Sequence, residues 1–227
     1  MALDFHFDRA NDGGRIRVMP DFIFSITKLK IVLAVFVLPA AFAGCSMSMA
    51  AETGMDGPWQ PLCNGQDLSG WQPVNGGVYT VTNGVLQLSG GNGWLRTERE
   101  FGDFILEGEG RGRATNFNSG IFLRAPLEGK PWATNVWQIN LKQSAIGELL
   151  QGSRKVVTNT VPPVAAGEWV KFSIRARGTN LTLKVNGKSA WEFCPLEPAR
   201  GHIGLQAEGK EMEFRNLRVR EPAAGQE

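Results

Sequence analysis

Hydrophobic and polar positions alternate with a period of two through much of the chain. From Phe104 to Arg113, Phe104 and Leu106 share a parity with Gly108, Gly110 and Gly112, and Ile105, Glu107, Glu109, Arg111 and Arg113 take the other. Successive side chains of a strand point to opposite faces, so the second set lines one face of a sheet. The next strand, Ser119 to Arg124, sets Ser119, Ile121 and Leu123 against Gly120, Phe122 and Arg124. Val170, Phe172, Ile174 and Ala176 alternate with Lys171, Ser173, Arg175 and Arg177, and Leu181, Leu183 and Val185 with Thr182, Lys184 and Asn186. Asn83-Gly84, between Val78–Thr82 and Val85–Ser89, is a dipeptide that closes tight type I′ hairpins, and Asn186-Gly187 turns the chain in the same way. No stretch carries the 3.6-residue period of a helix. The pattern predicts an all-β chain of short antiparallel strands, hence a sandwich or jelly roll.

Composition narrows this picture. A chain of 227 residues is long enough for one sandwich and too short for two. The 24 Lys and Arg nearly balance the 22 Asp and Glu, and no basic run stands out, so nucleic acid is not an expected partner. Trp59, Trp71, Trp94, Trp137 and Trp169 sit beside apolar or strand-like residues, which points most of them to the core. Cys63 and Cys194 also have apolar neighbours; two buried free thiols are expected, with a disulfide between them as the alternative.

The N-terminus reads as an export signal. Lys28 and Lys30 precede an apolar run from Ile31 to Leu38, which ends in Ala41-Phe42-Ala43-Gly44-Cys45. A basic segment, a short apolar run and small residues before a cysteine resemble a bacterial lipoprotein signal, although Phe42 stands where an aliphatic residue is usual. The run is too short to span a bilayer. Residues 1–44 are therefore expected to be removed, with Met19 an alternative start, and Cys45 to be lipidated. Residues 45–56 then form a tether, 57–221 one folded domain and 222–227 a disordered tail. The expected location is the bacterial envelope, on the periplasmic face or the surface of the outer membrane, with a lipid anchor holding the protein to the membrane.

Six motifs in order resemble one family. They are PLCNGQDLSGW (Pro61–Trp71), GWLRTEREFGDF (Gly93–Phe104), NSGIFLRAP (Asn118–Pro126), GEWVKFSI (Gly167–Ile174), LKVNGK (Leu183–Lys188) and HIGLQAEGKEMEFRNLRV (His202–Val219). Together they resemble the 3-keto-disaccharide hydrolase-like domain family. The resemblance implies a concanavalin A-like β-sandwich acting on glycosides oxidised to a ketone at sugar carbon 3. Such a ketone acidifies the proton on carbon 2, and loss of that proton expels the group on carbon 1. The chemistry needs a base, a cation or donor at the enolate oxygen and an acid or water at the leaving oxygen. No organic cofactor is needed, none is expected, and a divalent metal stays open without support from the residues.

Other chemistries drop out. The chain has no G-x-S-x-G, H-E-x-x-H or C-x-x-C, no glycine-rich loop opening a helix, and no E-x-D-x-x-E strand of the sandwich-fold glucanases. Strand parity and the family pattern give the candidate residues. Glu109 or Glu208 is the expected base, Arg124 or Arg111 the group at the enolate oxygen, and His202 a further catalytic candidate. Asn118, Gln138, Asn140, Gln206, Glu148 and Arg111 are expected to contact an oligosaccharide or glycoside. Glu109, Arg124, Gln138 and Gln206 are expected to converge from one sheet. The family's Glu-x-Gln-Ile-x-Asp becomes Val136-Trp137-Gln138-Ile139-Asn140-Leu141 here, and its Gln-x-His-Gly becomes Gln206-Ala207-Glu208-Gly209. Losing those acids and the histidine keeps a second reading open, a sandwich that binds carbohydrate without cleaving it.

Overall fold

A computed structural model describes residues 55–158 and 161–223. Two antiparallel sheets make up the fold. One has eight strands, in spatial order β13 (Lys188–Phe193), β12 (Asn180–Val185), β11 (Val170–Arg177), β6 (Phe104–Gly112), β15 (Met212–Arg220), β4 (Val85–Ser89) and β3 (Val78–Thr82), with the short β1 (Gln60–Pro61) also on β15. The other has seven, in the order β10 (Arg154–Val157), β9 (Leu149–Gln151), β8 (Trp137–Asn140), β7 (Gly120–Ala125), β14 (His202–Glu208), β5 (Asn92–Thr97) and β2 (Trp71–Asn75). The one helical element among the described residues is a single 3₁₀ turn, Pro131–Ala133. The expected all-β sandwich is the fold observed.

The alternation decides which side chains enter the core. In β6, Phe104 and Leu106 are buried with the inward glycines, and Ile105, Glu107, Glu109 and Arg111 are half-buried on the outer face. Phe172, Phe214 and Phe117 fill the room left by the absent side chains of Gly108, Gly110 and Gly112. From the opposite sheet, Leu95, Ile121, Leu123, Ile139, Ile203 and Leu205 close the same core. Each buried Leu, Ile or Phe contributes about 1.5–3 kcal/mol relative to leaving it in water. Both hairpins form at the expected dipeptides, with Asn83 at φ 51° and Gly84 at 77°, and Asn186 at 49° and Gly187 at 79°.

Most of the five tryptophans are buried, as expected: Trp71 and Trp137 join the main core, and Trp94 a separate small cluster with Phe122 and Ala125. Trp59 and Trp169 are only half-buried and serve as platforms for arginines. Cys63 is a free thiol, half-buried, and does not bridge to Cys194. The export signal, Cys45 and most of the tether lie outside the described residues.

Candidate functional site

The candidate residues divide between the two sheets. Glu109 and Arg111 stand on β6, on the outer face of the eight-stranded sheet, where opposite charges face each other across strands. Arg215 grips the Glu109 carboxylate with Nε at 2.8 Å and Nη2 at 2.6 Å, and Asn216 adds a bond at 3.2 Å. Burial would raise the Glu109 carboxyl, but the bonds from Arg215 and Asn216, with the charges of Arg215 and Lys171, outweigh it and hold it below its ordinary range. A carboxylate so held is a weak base. Arg111 pairs with Glu213 and lies 4.4 Å over the ring of Trp169. These two residues are thus on a different sheet from Gln138 and Gln206, which corrects the shared site expected for them.

Arg124 needs a second correction. Parity assigns it to the outer face beside Phe122, but the pairing of β7 with β14 slips between His202 and Gly204, and Arg124 takes φ 48°. Its guanidinium is buried, 1% exposed for the whole residue, and ties three loops together. It donates to the carbonyl oxygens of Gly102 (3.1 and 2.9 Å), Gly178 (2.8 Å) and Pro198 (3.1 Å), and to Asp103 Oδ1 at 3.3 Å. Burial lowers its pKa, and Asp103 partly offsets this. All its donors face protein, so Arg124 is a structural clamp and does not reach the face that carries Gln138.

His202 opens β14 but lies four residues from Gln206, roughly 13 Å along a strand. It is buried, with Nδ1 at 2.9 Å from the Thr97 carbonyl and Nε2 at 3.7 Å from Glu100. Neither its catalytic grouping with Glu208 nor one with Glu109 is formed.

The outer face of the seven-stranded sheet gathers the rest. Gln206 of β14 and Gln138 of β8 are each 4% exposed and lie on either side of β7. Strands one apart from a shared neighbour are separated by roughly 9.6 Å, too far for two amides unless nothing stands between them. Gly120 of β7 provides that space: a Cβ there would overlap the amide of Gln138. Gln138 Nε2 therefore donates to Gln206 Oε1 at 2.7 Å. With its oxygen taken, Gln206 must turn its nitrogen the other way, and Nε2 donates to Glu208 Oε2 at 2.9 Å. Ser119 Oγ holds the Gln206 backbone carbonyl at 2.7 Å. The outcome is a relay of buried amides that orients an exposed carboxylate, Glu208.

Asn140 pairs with Gly120 on the same face, and Glu148 lies across from Asn140, bonded through Asn140 N–H to Glu148 O at 2.8 Å. Lys155 Nζ binds Glu148 Oε1 at 2.9 Å, but Glu148 Oε2 is buried with no hydrogen-bond partner. Asn118 is half-buried in the segment entering β7. Glu208 and Glu148 are three strand spacings apart, roughly 14 Å, beyond the separation at which two carboxylates share a glycosidic bond. Among the described residues no group of three His, Cys, Asp or Glu side chains forms a metal-binding cluster.

Some residues of this face were not anticipated. Trp94 and Phe122 stack edge to face at 5.7 Å, with Trp132 beside Phe122 at 6.4 Å, so an aromatic cluster borders the polar relay. Arg96 joins them on β5, and its Nε is buried without a partner. The signal for Trp94 and Arg96 was present in Gly93–Thr97, where both oppose Leu95 in parity. Lys155 carried none, because only the turn between β9 and β10 brings it to Glu148.

The fold has solved relatives. Two glycosyl hydrolase candidates from Parabacteroides distasonis ATCC 8503 superpose with TM-scores of 0.61 and 0.60 at 17% and 21% identity. They cover 73% and 72% of this chain and 94% and 99% of their own. The carbohydrate-binding module CBM66 from Bacillus subtilis superposes with a TM-score of 0.57 at 16% identity, over 66% of this chain and 95% of its own. At these identities the likeness is one of fold. No curated protein matches the chain in sequence. Residues 58–220 match the family of 3-keto-alpha-glucoside-1,2-lyase-like domains, and with that match spanning most of its length the chain belongs to this carbohydrate-related family.

Proposed function

We propose that the outer face of the seven-stranded sheet binds a glycoside, with Glu208 as its contact acid. The observation that carries this is the relay from Gln138 through Gln206 to Glu208. Two buried amides with fixed orientations are a costly arrangement for a surface carboxylate that only meets water. They hold Glu208 as an acceptor for a sugar hydroxyl, and Trp132, half-buried over the buried Trp94 and Phe122, provides apolar surface nearby. The family, and the carbohydrate-binding and glycosyl-hydrolase neighbours, support a sugar as the ligand.

A second reading, cleavage of a 3-keto-glycoside, is favoured by the family. In it, the Glu208 carboxylate takes the proton from carbon 2. The electron pair passes through an enolate to form the carbon 1–carbon 2 double bond, and the oxygen on carbon 1 leaves and is protonated by water. The arginines first expected at the enolate oxygen are elsewhere, so a donor from Asn118 or Asn140 takes that place. Binding is the reading that needs fewer groups.

Calorimetry with a glucoside and its 3-keto form, alongside release from a chromogenic 3-keto-glucoside with and without divalent metals, separates the two. Binding of both sugars without release supports recognition alone. Release that disappears in Glu208→Gln supports cleavage. In either case Glu208→Gln should weaken binding or turnover tenfold or more, the value of about 1.5–3 kcal/mol for a hydrogen bond to a charged group. An unchanged Glu208→Gln protein would sink both. We propose in addition that Cys45 carries the lipid that holds the domain at the envelope.

A further inference from the structure

We infer that the outer face of the eight-stranded sheet carries a second binding site, for a sugar chain bearing carboxylates. A groove of about 870 Å³ runs over β11 and β12 on the side of the sandwich away from Glu208. Its size is that of a small-molecule site. Five cations line it: Lys171, Arg175, Arg177, Lys184 and Arg220. Three acids line it as well, Asp103, Glu107 and Glu192, but two of these are already engaged. Arg218 holds Glu107 at 2.6 Å, and Asp103 accepts from Arg124 at 3.3 Å and from Gly178 N–H at 2.7 Å. Five basic residues against three acidic ones leave the lining with a net positive charge.

Two of these cations also have unmet hydrogen-bonding capacity. Arg175 pairs with Ile105 on one side and Arg220 with Ile105 on the other, so the two arginines flank one residue across three neighbouring strands. Arg175 Nη2 and Arg220 Nε are both buried and without a hydrogen-bond partner. An unpaired buried N–H of a cation is costly, and turning the two arginine side chains toward an anionic oxygen above Ile105 relieves both. They are roughly 10 Å apart at the backbone, a span that long side chains close around a carboxylate.

The remainder of the lining favours a saccharide over a bare anion. Ser173, Thr182 and Ser189 set hydroxyls along the groove, and Trp59 borders it. Trp59 is already stacked under Arg218 and Arg220, at 4.3 and 4.7 Å, which fixes the arginine planes beside an aromatic ring. Hydroxyls, an aromatic ring and guanidinium groups in one groove match a short chain of uronic acid residues.

The test is calorimetry on the folded protein with tetragalacturonate, maltotetraose and inorganic phosphate, at low salt and in 0.5 M NaCl. Tetragalacturonate should bind, weaken with salt, and weaken tenfold or more in Arg175→Gln and in Arg220→Gln. Thr182→Glu, which sets a carboxylate beside Arg175 in the strand register, should do the same. None of these changes should alter glycoside binding on the Glu208 face, and Glu208→Gln should leave tetragalacturonate binding intact. Equal binding of maltotetraose, or full competition by equimolar phosphate, would overturn the saccharide assignment. Unchanged affinity in Arg220→Gln and Thr182→Glu would overturn the site, whether or not Arg175→Gln folds.

Discussion

Replacing Arg124 by Met removes a guanidinium that joins the loops at Gly102–Asp103, Gly178 and Pro198, and keeps most of the side chain's volume. Four carbonyl groups and one carboxylate lose their donor. At about 1.5–3 kcal/mol for each hydrogen bond to a charged group, five such partners set a ceiling of roughly 7.5–15 kcal/mol. The observed loss should be smaller, because Asp103 is 33% exposed and rehydrates, and because the burial cost of the cation is recovered. Breaking one side of a buried charged cluster typically costs about 3–5 kcal/mol, and about 4 is expected here. In a domain of this size that is a drop of roughly 8–16 °C in Tm. Urea melts followed by tryptophan fluorescence measure the stability, and calorimetry with the glycoside at a temperature where the variant stays folded measures function. Stability should fall while affinity and any turnover stay within about twofold. A variant with its stability within 1 kcal/mol of the parent but with function lost would refute the clamp and return Arg124 to the ligand site.

Three further outcomes follow from the same geometry. Gly120→Ala should push the Gln138 amide off Gln206, free the Glu208 carboxylate and weaken glycoside binding tenfold or more, with Ser119→Ala, which leaves the relay in place, as a milder control; equal affinity in Gly120→Ala would show that the relay does not position Glu208. Tyr79, the one tyrosine of the chain, has its phenol pushed up to about 12 by burial, so its absorbance at 295 nm should titrate near that value in the folded protein and near 10 in urea. The raised folded pKa favours the folded state fully below pH 10, and this contribution is lost as pH rises from 10 through 12; a native titration near pH 10 would contradict the burial. Cys45→Ala should accumulate as unprocessed precursor, and mass spectrometry of the parent's N-terminal peptide should find Cys45 acylated; an unlipidated peptide with its Cys45 sulfur in a disulfide would refute the anchor.

Much of the fold was legible because it depends on short-range rules. A period of two assigns inward and outward faces strand by strand, and it assigned Phe104, Leu106, Glu107, Glu109, Ile121 and Leu123 to the faces they occupy. Asn83-Gly84 and Asn186-Gly187 set their own turns, because positive φ is a local demand. Period and turn chemistry, with the ordered motifs, determine the sandwich and the family. They do not say which sheet a strand joins. Glu109 and Gln138 share an outward parity but belong to different sheets, and that is decided by pairing partners distant in sequence: β6 with β11 and β15, β8 with β7 and β9. Arg124 shows a second limit, since one slipped register turns a side chain from the surface into a loop junction more than fifty residues away in sequence. The contact of Gln138 with Gln206 depends on an intervening strand having a glycine at the crossing, and the pairing of Arg175 and Arg220 about Ile105 depends on three registers at once. Parity along a strand is a property of the backbone, which the amino-acid order carries by itself; convergence across strands is a property of the packed sheets.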